Sequence, residues 1–437
     1  MGDPRRGIRA STRRAPRRVL AVLLSGVVAT AAVLAAPPAA LALPAEGSAL
    51  PTVQIDGVAF AQAVRGNTVY VGGSFRSARP AGARPGTHRV VRRNLLAYDL
   101  TTGRLRSWAP RTDGVVRALA LSPDGRTVYA AGAFTKVDGR PRQRVVAISS
   151  AGGVRAGFHP RLNSAATSVA VHGGTVYVGG QFTAADGRSR LRAAAFDRTT
   201  GRLRAWRPKP DGTVLALVVS STGRSAVLGG RFAKVNGRRA PGSARVGTRT
   251  GTTDLTWKVN AVVGNHGADA AVYSLSSSGG FVYGTGYSFG SSVPHRLEGA
   301  FVATWRTGAV HWIEDCHGDS YSAARGGTTV YVVGHAHDCT NIGGFGESDP
   351  PRYRRALAFT QAATGVVKKN AVEPYSDFGG RPAPTLLDWR PAFDTGSATG
   401  QDQGPWSVVT SGDWVLYAGE FTKVDGVARQ GLVRFRG

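Results

Sequence analysis

Apolar and polar residues alternate with a period of two through most of the chain beyond residue 57. The segments VVRALAL (115–121) and NLLAYDL (94–100) are examples. Each alternating run is short and is bounded by glycine, Asp-Gly or Asn-Gly, the residues that tight turns require. Such runs predict β-strands joined as antiparallel hairpins. Because no segment after the first 42 residues has a helical period, the pattern predicts an all-β fold.

One strand motif recurs along the chain at intervals of about fifty residues, with a longer last interval caused by an insertion. Its seven copies are VYVGGSF (69–75), VYAAGAF (128–134), VYVGGQF (176–182), AVLGGRF (226–232), VYGTGYS (282–288), VYVVGHA (330–336) and VLYAGEF (415–421). A fixed period of this length indicates a repeat architecture, in which each unit is one supersecondary element.

Each unit has the same order of parts. An alternating strand and a turn precede the recurrent motif, and a loop such as FTKVDG (134–139) follows it. A third strand, a Thr-Gly turn and a fourth strand ending in tryptophan, as in RLRSW (104–108), complete the unit. Four strands per unit and seven units predict a seven-bladed β-propeller with four-stranded antiparallel blades.

The repeat also predicts the domain boundaries. One propeller occupies residues 43–437, and its last unit stops after the third strand. We therefore expect residues 50–55 to supply the missing fourth strand and close the ring, which removes free sheet edges. The predicted blades are residues 57–110, 111–160, 161–209, 210–258, 266–314, 315–391 and 402–437.

The third and fourth strands carry a family resemblance. AYDLTTGRLRSW (97–108) and AFDRTTGRLRAW (195–206) resemble the tryptophan motif of quinoprotein-like, kelch-like and WD-like propellers. The whole unit is similar to the repeat of propellers that high-GC bacteria secrete, a family mostly without assigned activity. The resemblance covers nearly all of residues 43–437 and implies the fold. It implies little about function, because these motif residues form turns and inter-blade contacts.

The N-terminal segment differs in composition from the repeats. An arginine-rich lead, an apolar run (19–36) and a small-residue cleavage site (40–42) predict a signal peptide over residues 1–42. A retained membrane anchor is the alternative, because the apolar run approaches spanning length. Cleavage leaves no transmembrane span and predicts a secreted protein, either extracellular or associated with the cell wall. The export route, general secretory or twin-arginine, stays open.

The charge of the chain bears on its partners. Fifty-five Lys and Arg residues against 27 Asp and Glu residues give a formal net charge of +28. Such a surface attracts anionic polymers. Outside a cell these are cell-wall polymers or polysaccharides rather than nucleic acid, and another surface protein is a further candidate. A compositional preference for arginine is the alternative explanation, since the charges are spread along the chain. We expect a monomer.

Both cysteines of the chain lie in the sixth unit. Alignment with the second unit places Cys316 at the start of the first strand and Cys339 in the loop after the second strand. If the hairpin turns at residues 325–329, the two cysteines oppose each other directly. Cross-strand pairs of this kind are close enough for a disulfide, which an exported chain can form.

Five polar side chains surround these cysteines: His317, Asp319, His335, His337 and Asp338. Imidazole and carboxylate groups suit a divalent metal such as zinc or calcium, with His335 and His337 as the tentative ligand pair. The same register puts both of these histidines on the cysteine face and the other three residues on the opposite face. Candidates for a third ligand are His266, Asp269, His295, Glu347 and Asp349. The alternative is a hydrogen-bonded polar cluster that holds the insertion from residue 340 to about 384.

These features predict a binding or scaffold module at the cell surface or in the extracellular space, with the disulfide-linked sixth unit as its working face. Tyr321 and Trp406 are possible aromatic platforms beside the five polar residues. A metal-assisted extracellular hydrolase using the same cluster is the alternative. A quinone-dependent dehydrogenase is less favoured, since those enzymes have eight blades. The sequence identifies no catalytic residue and no definite cofactor.

Overall fold

The computed structural model describes residues 47–289, 293–370, 372 and 374–437. The predicted signal peptide lies outside these residues. The regular secondary structure of the described part consists of short antiparallel strands, as the alternation predicts, with 3-10 turns at Val259–Ala261 and Thr340–Ile342.

The strands of the first four units are β1 (Gln54–Ile55), β2 (Val58–Arg65), β3 (Thr68–Ser74), β4 (Ser77–Arg79), β5 (Val90–Val91), β6 (Leu95–Asp99), β7 (Val116–Leu121), β8 (Thr127–Gly132), β9 (Lys136–Val137), β10 (Arg140–Pro141), β11 (Val145–Ser149), β12 (Ala166–His172), β13 (Thr175–Gly180), β14 (Ala184–Ala185), β15 (Arg188–Ser189), β16 (Ala193–Asp197), β17 (Val214–Val219), β18 (Ser225–Gly230), β19 (Lys234–Val235), β20 (Arg238–Arg239) and β21 (Ser243–Gly247).

The strands of the last three units are β22 (Ala270–Ser278), β23 (Phe281–Ser288), β24 (Gly299–Thr304), β25 (Val310–Glu314), β26 (Ser320–Gly326), β27 (Thr329–Ala336), β28 (Arg354–Thr360), β29 (Gly365–Val366), β30 (Pro382–Ala383), β31 (Pro405–Ser411), β32 (Trp414–Gly419), β33 (Lys423–Val424), β34 (Val427–Ala428) and β35 (Leu432–Arg436).

Seven of the sheets each contain the first, second and third strands of one repeat unit, and a further small three-stranded sheet has the order β1-β4-β5. The seven large sheets have the orders β2-β3-β6, β7-β8-β11, β12-β13-β16, β17-β18-β21, β22-β23-β24-β25, β26-β27-β28 and β31-β32-β35. The first strands contact one another in sequence order, from β2 to β7, β12, β17, β22, β26 and β31, and β31 contacts β2 again. This closed cycle of antiparallel sheets is the arrangement of a β-propeller.

The fourth strands are shorter than predicted. Among the described sheets only that of β22 has a regular fourth strand, β25, whereas the first unit shows a single bridge between Tyr98 and Leu105. The tryptophan at the end of this segment contacts both its own unit and the next. The Trp108 ring lies 5.0 Å from that of Tyr70, and its Nε1 donates to the carbonyl of Ser149 at 3.0 Å. The same contact occurs in the fifth unit, where β25 is regular and Trp312 Nε1 donates to the carbonyl of Gln361 at 2.9 Å, so it does not depend on how complete the fourth strand is.

The N-terminal described segment joins the last unit to the first. The Leu50 N–H donates to the carbonyl of Arg434 in β35 at 3.0 Å, and Val53 N–H donates to Gly103 at 2.9 Å. The guanidinium of Arg434 is buried and donates to the carbonyls of Leu100, Thr101 and Pro51.

In the described part of the chain, no helix has the length and apolar character needed to cross a bilayer.

Candidate ligand-binding site at the channel mouth

The sixth unit contains the predicted disulfide. Cys316 and Cys339 are bonded, with Cα atoms 4.0 Å apart, and both side chains are buried. The predicted pairing of β26 with β27 holds from Ser322 to Gly326. A β-bulge at Tyr321 then shifts the register by one residue before the cysteines are reached. The disulfide therefore forms despite a local change in strand pairing.

The bulge changes which polar side chains meet. His337 N–H donates to the carbonyl of His317 at 2.9 Å, and the two rings lie 6.3 Å apart. The backbone N–H of Asp319 lies 3.3 Å from Nε2 of His335. The expected division of these residues between two faces is therefore wrong near the cysteines, because a bulge turns the chain within the strand.

His317 and His337 contact the insertion. The ring of His317 stacks on Tyr375 at 3.9 Å, and the Tyr375 hydroxyl lies 3.1 Å from Nε2 of His337. Glu347, also in the insertion, lies 3.4 Å from Nδ1 of His337. Burial lowers the pKa of His317, so its neutral form is favoured. These contacts connect the disulfide-linked hairpin to the insertion.

Asp338 has a local structural contact. Its Oδ1 accepts hydrogen bonds from the backbone N–H and the hydroxyl of Thr340, at 2.9 and 2.7 Å. Both bonds lie at the start of the short Thr340–Ile342 turn. A side chain of this type commonly satisfies backbone donors at such a position.

Asp319, Tyr321 and His335 form a second cluster beside the channel. His335 Nε2 accepts from the backbone N–H of Asp319, which requires the ring proton on Nδ1. That proton faces the Tyr321 hydroxyl and Oε1 of Gln403, each 3.1 Å away. Burial lowers the pKa of His335 to about 4, so the ring is neutral at physiological pH. Metal coordination by His335 would require breaking one of these hydrogen bonds.

The metal hypothesis has no further support among the residues that the structure describes. They contain no group of three or more His, Cys, Asp or Glu side chains placed to hold a metal ion. The ring of Tyr353 contacts both candidate ligands, 5.7 Å from the ring of His335 and 6.1 Å from that of His337. The zinc or calcium site stays a prediction.

Every unit contributes a side chain from one equivalent position to the lining of the channel. Each first strand has a bulge, and a single residue lies within it. All seven of these bulge residues line a cavity of about 620 Å³. They are Phe60, Arg117, Thr167, Leu215, Tyr273, Tyr321 and Trp406. A bulge redirects a side chain out of the strand alternation, which accounts for this shared orientation.

A second cavity, of about 470 Å³, forms the mouth of the channel. It shares Phe60, Arg117, Tyr273, Tyr321 and Trp406 with the first. The rings of Tyr321 and Trp406 lie 4.5 Å apart, and that of Tyr273 lies 5.5 Å from Tyr321. Neighbouring units thus contribute a nearly continuous aromatic wall.

Two arginines bring positive charge to this mouth. The guanidinium of Arg117 lies 4.1 Å from the centre of the Phe60 ring, and Arg231 Nε donates to the Tyr287 hydroxyl at 2.7 Å. Neither arginine forms an ion pair within the described residues, and both are exposed. Cation–π contact holds the Arg117 side chain in place while leaving its N–H donors available.

The carboxyl group of Asp319, which lines the mouth, is held partly neutral, and so is that of Glu298, which interacts with it electrostatically. Burial raises the pKa of Asp319 to about 7, although the backbone N–H of Ser288 donates to it at 3.2 Å. Burial and the charges of Asp319 and Asp315 raise the pKa of Glu298 to about 8. At neutral pH the mouth is therefore more positive than a count of its charged residues indicates.

Of the residues predicted from sequence, the mouth contains Asp319, Tyr321 and Trp406, whereas His317, His337 and Asp338 contact the insertion or its start. The sequence analysis missed Arg117 and Arg231 and the aromatic residues of the other units. A signal for most of them existed. Reading one aligned position through all first strands would have shown an aromatic side chain in four of the seven units and an arginine in a fifth.

The fold and this site define the class of protein, a β-propeller with a ligand-sized, aromatic and cationic pocket at the mouth of its channel. No protein-family model matches the chain, and no curated protein matches it. The comparisons with solved structures therefore bear on the fold.

Three solved structures illustrate this similarity. A chain of the mitotic checkpoint complex aligns with 95% of this chain and 99% of its own, at 13% identity and a TM-score of 0.53. The computationally designed Ika8 protein aligns over 88% and 98%, at 16% identity and a TM-score of 0.45. The Cps50 (Swd1) β-propeller domain of Myceliophteria thermophila aligns over the same shares, at 10% identity and a TM-score of 0.49. At these identities such likenesses say nothing about function.

Proposed function

We propose that this chain is an exported, seven-bladed β-propeller that acts as a binding module at the cell surface or in the extracellular space. In this proposal each large sheet is one blade, and the ligand binds at the channel mouth. The disulfide and the N-terminal sequence support export, since structural disulfides persist in oxidising compartments.

The observation that carries the proposal is the composition of the mouth. Aromatic rings from consecutive units form one wall, and Arg117 and Arg231 supply guanidinium groups without carboxylate partners. Aromatic faces pack against the apolar faces of sugar rings, and guanidinium groups bind carboxylates in a bidentate manner. The ligand we propose is an acidic saccharide, with its ring against Tyr321 and Trp406 and its carboxylate near the arginines.

A pair of conservative substitutions tests this assignment. Arg117→Gln with Arg231→Gln removes both charges while keeping polar side chains of similar length. We expect the unmodified protein to bind galacturonate oligosaccharides and the double variant to lose affinity by about tenfold or more, measured by isothermal titration calorimetry.

The matched control replaces Arg65 and Arg126 with glutamine. Both are exposed and lie at the turns between the first and second strands, at the other end from the channel mouth. This control should bind the saccharide with unchanged affinity. Equal affinity of the two double variants, or no preference for acidic over neutral saccharides, would contradict the proposal.

A further inference from the structure

A small hairpin follows the second strand in the second, third, fourth and seventh units. The pairs are β9–β10, β14–β15, β19–β20 and β33–β34. In the second unit, Asp138 and Gly139 form the turn with φ values of 49° and 76°. Both lie in the left-handed region that a two-residue hairpin turn requires, which explains the Asp-Gly and Asn-Gly pairs.

The same hydrogen bond fixes a neighbouring residue to each hairpin. The Oδ1 atom of Asp138 accepts from the backbone N–H of Arg111 at 2.8 Å. Equivalent bonds join Asp186 to Arg161 at 2.8 Å, Asn236 to Lys209 at 3.0 Å and Asp425 to Ala392 at 2.7 Å. A residue of the segment that leads into each first strand therefore lies beside the hairpin turn.

Three consecutive units present cations at these positions. Each has one on the segment before the first strand and one on the returning hairpin strand. All six are exposed and have no ion-pair partner in the described part of the chain. They are Arg111 and Arg140, Arg161 and Arg188, and Lys209 and Arg238.

The seventh unit shows that the hairpin does not need these cations. It has Ala392 and Val427 at the two positions, yet its turn carboxylate accepts the equivalent hydrogen bond. The arginines and the lysine are therefore available for an interaction outside the chain. The acidic groups at the turns, Asp138 and Asp186, each use Oδ1 to bind a backbone N–H.

Grooves occur at equivalent places in two of these units. In the fourth unit a cavity of about 450 Å³ is lined by Arg207, Lys209, Arg238 and the hydroxyl groups of Thr250 and Thr252. In the third unit a cavity of about 560 Å³ is lined by the equivalent turn and by basic side chains. Its lining includes His159, Arg161, Thr200 and Arg202.

These grooves lie at the outer edges of the sheets. Asn236 Nδ2 donates to the carbonyl of Gly251 at 2.8 Å, in the turn that follows the third strand β21. The sheet order β17-β18-β21 places β21 farthest from the first strand, which contacts its neighbours around the channel. The cations are therefore separate from the channel mouth.

We infer that the outer edges of the second, third and fourth units form a cationic track that binds a linear acidic polysaccharide. The track is a second site, beyond the pocket proposed above. Charge complementarity favours a polyanion as the ligand. Once one cation has bound the polymer, the neighbouring cations meet it at a high effective concentration, so several weak contacts together give a higher overall affinity. Hydroxyl and amide groups beside the cations suit a polymer rich in hydroxyl groups better than polyphosphate.

The test uses residues that the seventh unit already has. Arg140→Val, Arg188→Val and Arg238→Val together introduce the equivalent of Val427 into three hairpins. Binding to polygalacturonate at about 0.1 M salt should weaken by about tenfold or more, and the dependence of log Kd on log salt should become shallower. Circular dichroism and the melting temperature should be unchanged, because these side chains are exposed.

A triple control variant replaces Arg352, Lys368 and Arg381 with valine. These are exposed cations of the sixth-unit insertion without an ion pair in the described residues. It should keep affinity within about twofold. The Arg117→Gln, Arg231→Gln variant should still bind the polymer, because its track is intact. The pocket proposal and the track proposal can therefore be contradicted independently of each other. Equal weakening of both triple variants, or tighter binding of polyphosphate than of polygalacturonate, would overturn the inference.

Discussion

At the residue scale, the candidate site depends on one position in each first strand. Tyr321 and Trp406 both occupy a bulge, and both therefore face the channel instead of following the alternation of their strands. A pattern with a period of two assigns such residues to the wrong side, because the extra residue inverts the alternation locally. Aromatic character could be predicted from sequence for these two residues, but their orientation could not.

In the proposed site, we expect Asp319 to make ligand binding depend on pH. Since burial raises its pKa to about 7, the carboxyl is neutral below this pH and becomes charged above it. A carboxylate at the mouth repels an anionic ligand, so affinity for the acidic saccharide should fall between about pH 6 and pH 8. Calorimetric titration across this range measures the effect.

The matched variant is Asp319→Asn, which retains an acceptor for the Ser288 N–H. It should bind as tightly at pH 8 as at pH 6, because the group that becomes charged over this range is absent. An unchanged pH profile in this variant would assign the dependence to another group.

At the element scale, local sequence predicts strands and turns well, and neighbouring units modify where they end. The Asp-Gly and Asn-Gly turns and the alternating strands need only short-range information. The end of the fourth strand is different, because Trp108 there donates to the carbonyl of Ser149 in the next unit. No pattern within one unit contains that contact.

The disulfide stabilises the sixth-unit hairpin and the start of its insertion. It links residues 23 positions apart, and the loop-entropy relation then gives about 3 kcal/mol. Reductant should lower the free energy of unfolding by about this amount, measured by urea denaturation. The chain has two cysteines, both in this bond, so reductant should have no effect on a Cys316→Ala, Cys339→Ala variant. Equal stability with and without reductant would mean that the bond adds nothing.

At the scale of the whole molecule, stability depends on joining the two ends of the repeat array. The first strand β2 contacts β31, and the buried Arg434 donates to carbonyls of the first unit and of the N-terminal segment. These contacts connect residues more than 300 positions apart. They satisfy backbone acceptors that burial would otherwise leave without partners.

Arg434→Met tests this closure. It keeps much of the side-chain volume but removes three hydrogen bonds to carbonyl groups, and we expect a loss of about 2–4 kcal/mol in the free energy of unfolding.

Arg436→Met is the control. Arg436 is exposed, and its guanidinium lies 5.3 Å from the Trp414 ring. Its replacement should cost less than about 1 kcal/mol in chemical denaturation. Similar losses for both variants would show that the Arg434 hydrogen bonds are not important for closure.

The sequence by itself determined the all-β character, the repeat and the pairing of Cys316 with Cys339, because each depends on periodicity or on one hairpin. The tertiary structure alone decided which side chains meet. Phe60 and Trp406 are 346 positions apart, yet their rings lie 6.0 Å from each other at the channel. That contact exists because the sheets close into a cycle and a bulge turns one side chain of each unit inward. Neither property can be found in the alternation of a single strand.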